Sequence, residues 1–133
     1  MAKYIYPAVF TKENKLYFVQ FPDFESCYTQ GESLQDAFDM AEDVLALTLY
    51  EMEEARTEIP NSSEIKTVKT EENEFVSLVS CDTIAYRKLY DNKAVKKTLT
   101  IPSWLNAMAE KQSINFSAVL QNALKEHLDI SDR

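Results

Sequence analysis

The chain opens on two stretches in which apolar and polar positions alternate as in half-buried strands. Tyr4 to Phe10 (YIYPAVF) is rich in aromatic and β-branched residues and predicts a strand, with Pro7 pointing to an edge position or a bulge. The polar run Thr11-Lys12-Glu13-Asn14-Lys15 predicts a turn, and Leu16 to Phe21 (LYFVQF) the returning strand of a hairpin. Pro22-Asp23-Phe24-Glu25 is a second turn, followed by a short strand-like piece, Cys27-Tyr28-Thr29-Gln30. Gly31, the one glycine in the chain, permits the turn that follows. The period then becomes helical. Ser33 with Asp36 three positions on is a variant of the capping box, and Leu34, Ala37, Phe38, Ala41, Val44, Leu45, Thr48 and Met52 form a stripe of about six turns. Glu32, Asp36, Asp39, Glu42 and Asp43 crowd the first turns, where the positive end of the helix dipole favours acids. Past Ala55 the pattern decays into a loop at Pro60-Asn61-Ser62-Ser63. Ile65–Thr70 is a marginal strand and Phe75–Cys81 a firmer one. Asp82 caps a short helix through Tyr90, and Asp91-Asn92 is the expected hinge. Residues 1–86 thus predict an α+β domain, a small antiparallel β-β-β-α-β sheet with one long helix across it.

Beyond the hinge, Val95, Lys97, Leu99 and Ile101 alternate with Lys96, Thr98 and Thr100, which predicts one short strand. Pro102 stops it and suits the first turn of a helix carrying Trp104, Leu105 and Met108. Asn115 is a natural N-cap for a second helix, where Phe116, Val119, Leu120, Ala123, Leu124 and Leu128 form an apolar stripe. A unit of roughly 35 residues with a lone strand cannot close a core or satisfy its edges. The economical solution is a two-fold dimer, with two strands paired as a ribbon over four helices. Its core would hold Leu99, Ile101, Trp104, Leu105, Met108, Phe116, Val119, Leu120, Ala123 and Leu124. The outward face would carry Lys96, Thr98 and Thr100, side chains able to address base edges in a DNA major groove. The helix start at Asn115, Phe116 and Ser117, with Lys93, would meet phosphates. This pattern resembles the ribbon-helix-helix DNA-binding family over roughly 93–128. The same residues could also form an ordinary strand-helix-helix end piece of a larger domain.

Charge sharpens the division. Residues 1–86 hold six Lys/Arg against 17 Asp/Glu, a balance of −11, and residues 87–133 hold eight against five, +3, within a net charge of −8. A mildly basic segment can approach a polyanion, while an acidic one attracts a basic partner. The acid surplus of the whole chain predicts weak binding per dimer, so that tight DNA binding would call for several contacts or for higher assembly such as a dimer of dimers. No apolar run suits a signal peptide or a membrane span. Cys27 and Cys81 lack metal-ligand spacing, so free thiols in a reducing cytoplasm are expected.

The stretch Phe21-Pro22-Asp23-Phe24-Glu25-Ser26-Cys27-Tyr28-Thr29-Gln30-Gly31-Glu32-Ser33-Leu34-Gln35-Asp36-Ala37 resembles the signature of the HicB antitoxin family: a Pro-Asp turn, a Cys, a Thr-x-Gly turn and an acidic helix start with Ala. Ser26 departs from the glycine usual before the cysteine. The resemblance implies an antitoxin of a type II toxin–antitoxin pair. Its N-terminal domain, similar to a reduced RNase H-like fold, would block a small basic RNA-cleaving HicA-like toxin. Its C-terminal module would bind operator DNA of its own operon. The family's toxin contacts follow no fixed motif; charge and exposure single out Asp23, Glu25 and Glu32.

Catalysis is not expected. RNase H chemistry needs clustered carboxylates on two metal ions, yet Asp36 and Asp39 sit where helix starts favour acids, and no acid lies at the centre of either hairpin strand. Among the residues of the chain, His127 has no catalytic partner and no Gly-rich phosphate loop occurs, so no metal or cofactor is predicted. Tyr86, Arg87, Lys88 and Tyr90 admit two readings, an aromatic-basic platform for nucleic acid or a tether packed on the front domain. Two functions remain: a DNA-binding antitoxin, or a dimeric regulator whose N-terminal domain senses a small ligand or another protein.

Overall fold

The alternating stretches at the start of the chain become β1 (Lys3–Glu13) and β2 (Leu16–Gln20), joined by Asn14 and Lys15. Both turn residues hold positive φ, 58° and 114°, the bend that suits the twist of a tight hairpin. The polar run expected to be a turn is therefore mostly strand, with Thr11, Lys12 and Glu13 opposite Phe18, Tyr17 and Leu16. The next strand is β3 (Tyr28–Gly31), then come helix α1 (Leu34–Ala55), strand β4 (Glu74–Asp82) and helix α2 (Thr83–Tyr90). The four strands form one antiparallel sheet in the order β3-β2-β1-β4. Pro7 lies opposite Leu78 in an unbroken register, so there is no bulge. β1 pairs with β2 only from Val9 onward, so Pro7 sits where the strand is locally an edge and its missing N–H forfeits no bond to β2.

The computed structural model describes residues 3–130 and forms two compact units, 1–93 and 94–133. In the first, Tyr6, Ala8 and Phe10 of β1 bury one sheet face against Ala37, Ala41, Leu45 and Leu49 of α1, with Val19 and Val79 beside them. Leu45 and Leu49 are fully buried, each contributing about 1.5–3 kcal/mol. Phe10 stacks on Phe38 and Phe75, at 4.5 and 5.0 Å between ring centroids. Leu34, expected in the stripe, is exposed at the first position of α1, and Ala46 and Leu49 join the core instead.

Gly31 plays a different part from the one expected. Its φ is not positive; a Cβ there would lie 2.4 Å from the amide nitrogen of Ala37. Glycine is needed because the first turn of α1 passes directly over β3, not because the turn is left-handed. Ser33 Oγ then accepts from the Asp36 amide at 3.0 Å while the Asp36 carboxylate accepts from the Glu32 amide at 2.9 Å, a capping box displaced by one residue. The helix ends with Arg56 in the left-handed region (φ 55°) and Thr57 N–H bonded to Met52 C=O, as in a Schellman motif.

The segment expected as a strand, Ile65–Thr70, is a single 3-10 turn over Ile65–Thr67. Thr67 donates both its amide and its hydroxyl to the Glu64 carbonyl, a local bond that competes with sheet pairing. The two units meet after Lys93, later than the boundary expected at 86/87, because α2 is bound to α1 through Arg87. With that boundary the charges are −9 for 1–93 (nine Lys/Arg, 18 Asp/Glu) and +1 for 94–133 (five, four). The sign of the contrast survives, with a smaller basic share.

The second unit contains helices α3 (Ser103–Lys111) and α4 (Phe116–His127). Asn115 caps α4, its side chain accepting from the Ala118 amide at 3.1 Å. Pro102 stands at the N-cap of α3 rather than inside its first turn. The strand expected over Val95–Ile101 is absent from the single chain: these residues have no regular structure and pair with nothing described. A strand is made by its partner, and the ribbon required a second copy.

Candidate functional site

Glu53, in the last turns of α1, organises the far end of the first unit. Its carboxylate accepts from Tyr4 Oη at 2.8 Å, Thr83 Oγ1 at 3.0 Å and Arg87 Nη2 at 3.1 Å. Burial pushes this carboxyl up, but hydrogen bonds from Tyr4, Arg87 and Thr83 outweigh it and hold it below its usual range. Arg87 also pairs with Glu54, lies 3.8 Å from Asp91 Oδ2 and stands over the Tyr50 ring at 4.7 Å. Tyr86 packs on Tyr50 at 5.1 Å, and Tyr50 donates to Asp91 Oδ2 at 3.0 Å. Of the two roles open to Tyr86 and Arg87, the tether is the one observed. Arg87 is spent on three carboxylates and offers little to a phosphate.

A groove of about 570 Å³ lies between α1 and α2 beside the end of β4. Glu42 and Asp43 line one wall, Asp82 the floor, and Tyr86, Leu89 and Tyr90 the other wall. Leu89 and Tyr90 are 72% and 70% exposed, and Tyr90 leans on Tyr86 at 4.8 Å. Cys81 borders the groove, half-buried; burial pushes its thiol up to about 12, with the nearby charges of Asp82, Glu42 and Glu53 adding to the effect. Of these groove residues the sequence singled out only Tyr86 and Tyr90, as a nucleic-acid platform or a tether, and none for a protein partner. The available signal was the Leu89-Tyr90 pair, two large apolar residues closing a helix too short to bury both.

The three carboxylates singled out for a protein partner do not come together. Asp23 is half-buried and accepts from the Ser63 amide at 3.0 Å and from the Ser63 hydroxyl, anchoring the loop after α1. Glu25 is exposed beside a hollow lined by Thr48, Glu51 and Met52, in the second half of α1. Glu32 is exposed ahead of the first turn, on the order of 20 Å away along the helix at 1.5 Å per residue. Cys27 is buried, receiving a bond from Thr48 Oγ1 at 3.3 Å, and both cysteines are free thiols. Among the described residues no cluster of His, Cys, Asp or Glu could hold a metal, and no helix is long and apolar enough to cross a membrane.

Lys93, the last residue of the first unit, is exposed, and so in the second unit are Lys96, Thr98 and Thr100, and Asn115, Phe116 and Ser117 at the start of α4. Every residue expected in a dimer core is exposed in the single chain: Leu99, Ile101, Trp104, Leu105, Met108, Phe116, Val119, Leu120, Ala123 and Leu124. Trp104 is 65% exposed and Leu124 50%. Neither α3 nor α4 buries a residue, so this unit has the stripes of a core and no core.

The family model for the HicB-like antitoxin of bacterial toxin–antitoxin systems matches residues 6–124, most of both units. A solved toxin–antitoxin complex from Streptococcus pneumoniae contains a chain 32% identical, with a TM-score of 0.61 over 94% of this chain and 99% of that one. The Burkholderia pseudomallei antitoxin HicB shares the fold at 19% identity and TM-score 0.54, covering 94% and 98% of the two chains. The antitoxin HicB3 does so at 24% and 0.51, covering 96% and 99%. No curated protein matches the sequence.

Proposed function

Because the chain belongs to the HicB-like antitoxin family of bacterial toxin–antitoxin systems, we propose that it divides two tasks between its two units. The family is regulatory and non-enzymatic. The first unit, with its closed core and its charge of −9, binds and neutralises a small basic HicA-type toxin that cleaves RNA. A surface that must attract RNA is positive, so an acidic antitoxin is steered to it and captures it fast. The second unit dimerises through α3, α4 and residues 95–101 as a ribbon-helix-helix module and binds the operator of its own operon. Lys96, Thr98 and Thr100 would face the bases; Lys93 and the α4 start at Asn115, Phe116 and Ser117 would face phosphates.

The observation that carries this reading is the contrast between the units. One is a finished domain; the other displays a large apolar surface on a length of chain that cannot bury it alone, the expected state of half a dimer. The test mixes the purified chain with its cognate HicA-type toxin and follows RNA cleavage. Equimolar chain should stop cleavage and co-elute with the toxin. Unchanged cleavage with separate elution would refute the reading.

A further inference from the structure

The groove between α1 and α2 combines three properties that the rest of the first unit does not bring together. The first is exposed apolar surface held rigidly. Tyr90 is fixed against Tyr86, and Tyr86 against Tyr50, so the wall is a row of tilted, touching rings on an anchored helix. Rigid aromatic groups with little side-chain entropy to lose are the commonest anchors of protein interfaces. The second is negative charge. Glu42, Asp43 and Asp82 border the space with Lys3 as the cation in the lining, so acids outnumber bases there, and Arg87 of α2 is paired with Glu53 and Glu54. Burial is the main cause of the high Cys81 thiol, and the nearby charges of Asp82 and Glu42 add to it. The third is size: about 570 Å³ has room for several side chains. The rival hollow beside Glu25 has acids but no exposed aromatic ring, and its Asp23 is engaged by Ser63.

We infer that this groove is where the toxin docks: a basic segment sets an Arg or Lys between Glu42, Asp43 and Asp82 and lays an adjoining apolar side chain on Leu89 and Tyr90. Charge complementarity selects the occupant, and the tyrosine rings can take the cation over their faces. The inference rests on the toxin-binding reading above and narrows it from a whole domain to one surface. It also gives α2 a purpose beyond its tether, since the clasp of Arg87 on Glu53 holds that helix, which carries one wall of the groove, against α1.

The test uses the full chain and its cognate HicA-type toxin, with binding rates measured on the immobilised toxin. Two double variants probe the groove, Leu89→Ala/Tyr90→Ala and Glu42→Lys/Asp43→Lys; all four positions are exposed, so the fold is retained, and an unchanged melting midpoint checks this. Glu13→Lys/Glu72→Lys is a charge-matched control. Glu13 ends β1, an 11-residue strand whose first residues border the groove, so it lies about 30 Å away. The groove variants should weaken binding tenfold or more, mainly by faster dissociation, and the control less than threefold, by slower association. If wild type binds and the groove variants bind as tightly, or lose no more than the control, the docking surface is elsewhere while the toxin-binding reading stands. If wild type itself does not bind, the broader reading falls and takes this one with it.

Discussion

Arg87 Nη2 lies 3.1 Å from Glu53 Oε1, and the same carboxylate accepts from Tyr4 and Thr83. One acid at the end of α1 thus ties together β1, α1 and the start of α2. Glu53→Ala should therefore destabilise the first unit by about 2–3 kcal/mol, since charged hydrogen bonds are lost and Arg87 keeps only its outer partners. Urea unfolding followed by far-UV circular dichroism checks this. The single tryptophan, Trp104, belongs to the other unit and its fluorescence should not report the loss.

The same cluster fixes two pH limits. The Glu53 carboxyl titrates lower in the folded chain than its ordinary value of 4.5, so its stabilisation is complete above that value and is lost as pH falls through the lower folded one. Burial, then the Glu53 bond, pushes Tyr4 up to about 12, so its contribution is complete below its ordinary value of 10 and is lost as pH rises toward about 12. The difference in urea midpoint between wild type and Glu53→Gln should be largest near neutral pH and shrink on the acid side below 4.5. A difference independent of pH there would remove the carboxylate from the account.

Gly31→Ala places a methyl group 2.4 Å from the Ala37 amide nitrogen, and backbone rather than a flexible side chain must yield. A loss of at least about 2 kcal/mol is expected, with α1 shifted off β3. Thermal unfolding measures it.

Leu120→Asp puts a charge among the apolar residues of α4. The variant should sediment as a monomer and lose the helical signal of α3 and α4, because a dimer core cannot bury an unpaired carboxylate. Toxin binding by the first unit should persist. A wild-type dimer would show that Leu120 lies outside the interface.

Periodicity made the hairpin, α1, α3 and α4 legible, because each buries, or is patterned to bury, one face. The capping residues Ser33, Asp82 and Asn115 were legible as well, their function being local. What stayed hidden depends on distant partners. The role of Gly31 comes from α1 crossing β3, and Arg87 belongs to the first unit because Glu53 is 34 positions earlier in the chain. Asp23 read as a free loop acid until Ser63 met it. The groove was invisible for the same reason: Glu42 and Asp43 on one helix face Leu89 and Tyr90 on another only after folding.

The central claim is that DNA binding and toxin binding reside in different parts of this chain. It is tested most directly by the triple variant Lys96→Ala/Thr98→Ala/Thr100→Ala in a mobility-shift titration on the chain's own promoter fragment, run alongside toxin neutralisation. Losing base contacts at about 1–3 kcal/mol each should abolish the specific shift, while dimer mass and neutralisation stay at wild-type levels. An undiminished shift, or a loss of neutralisation together with DNA binding, would contradict the division.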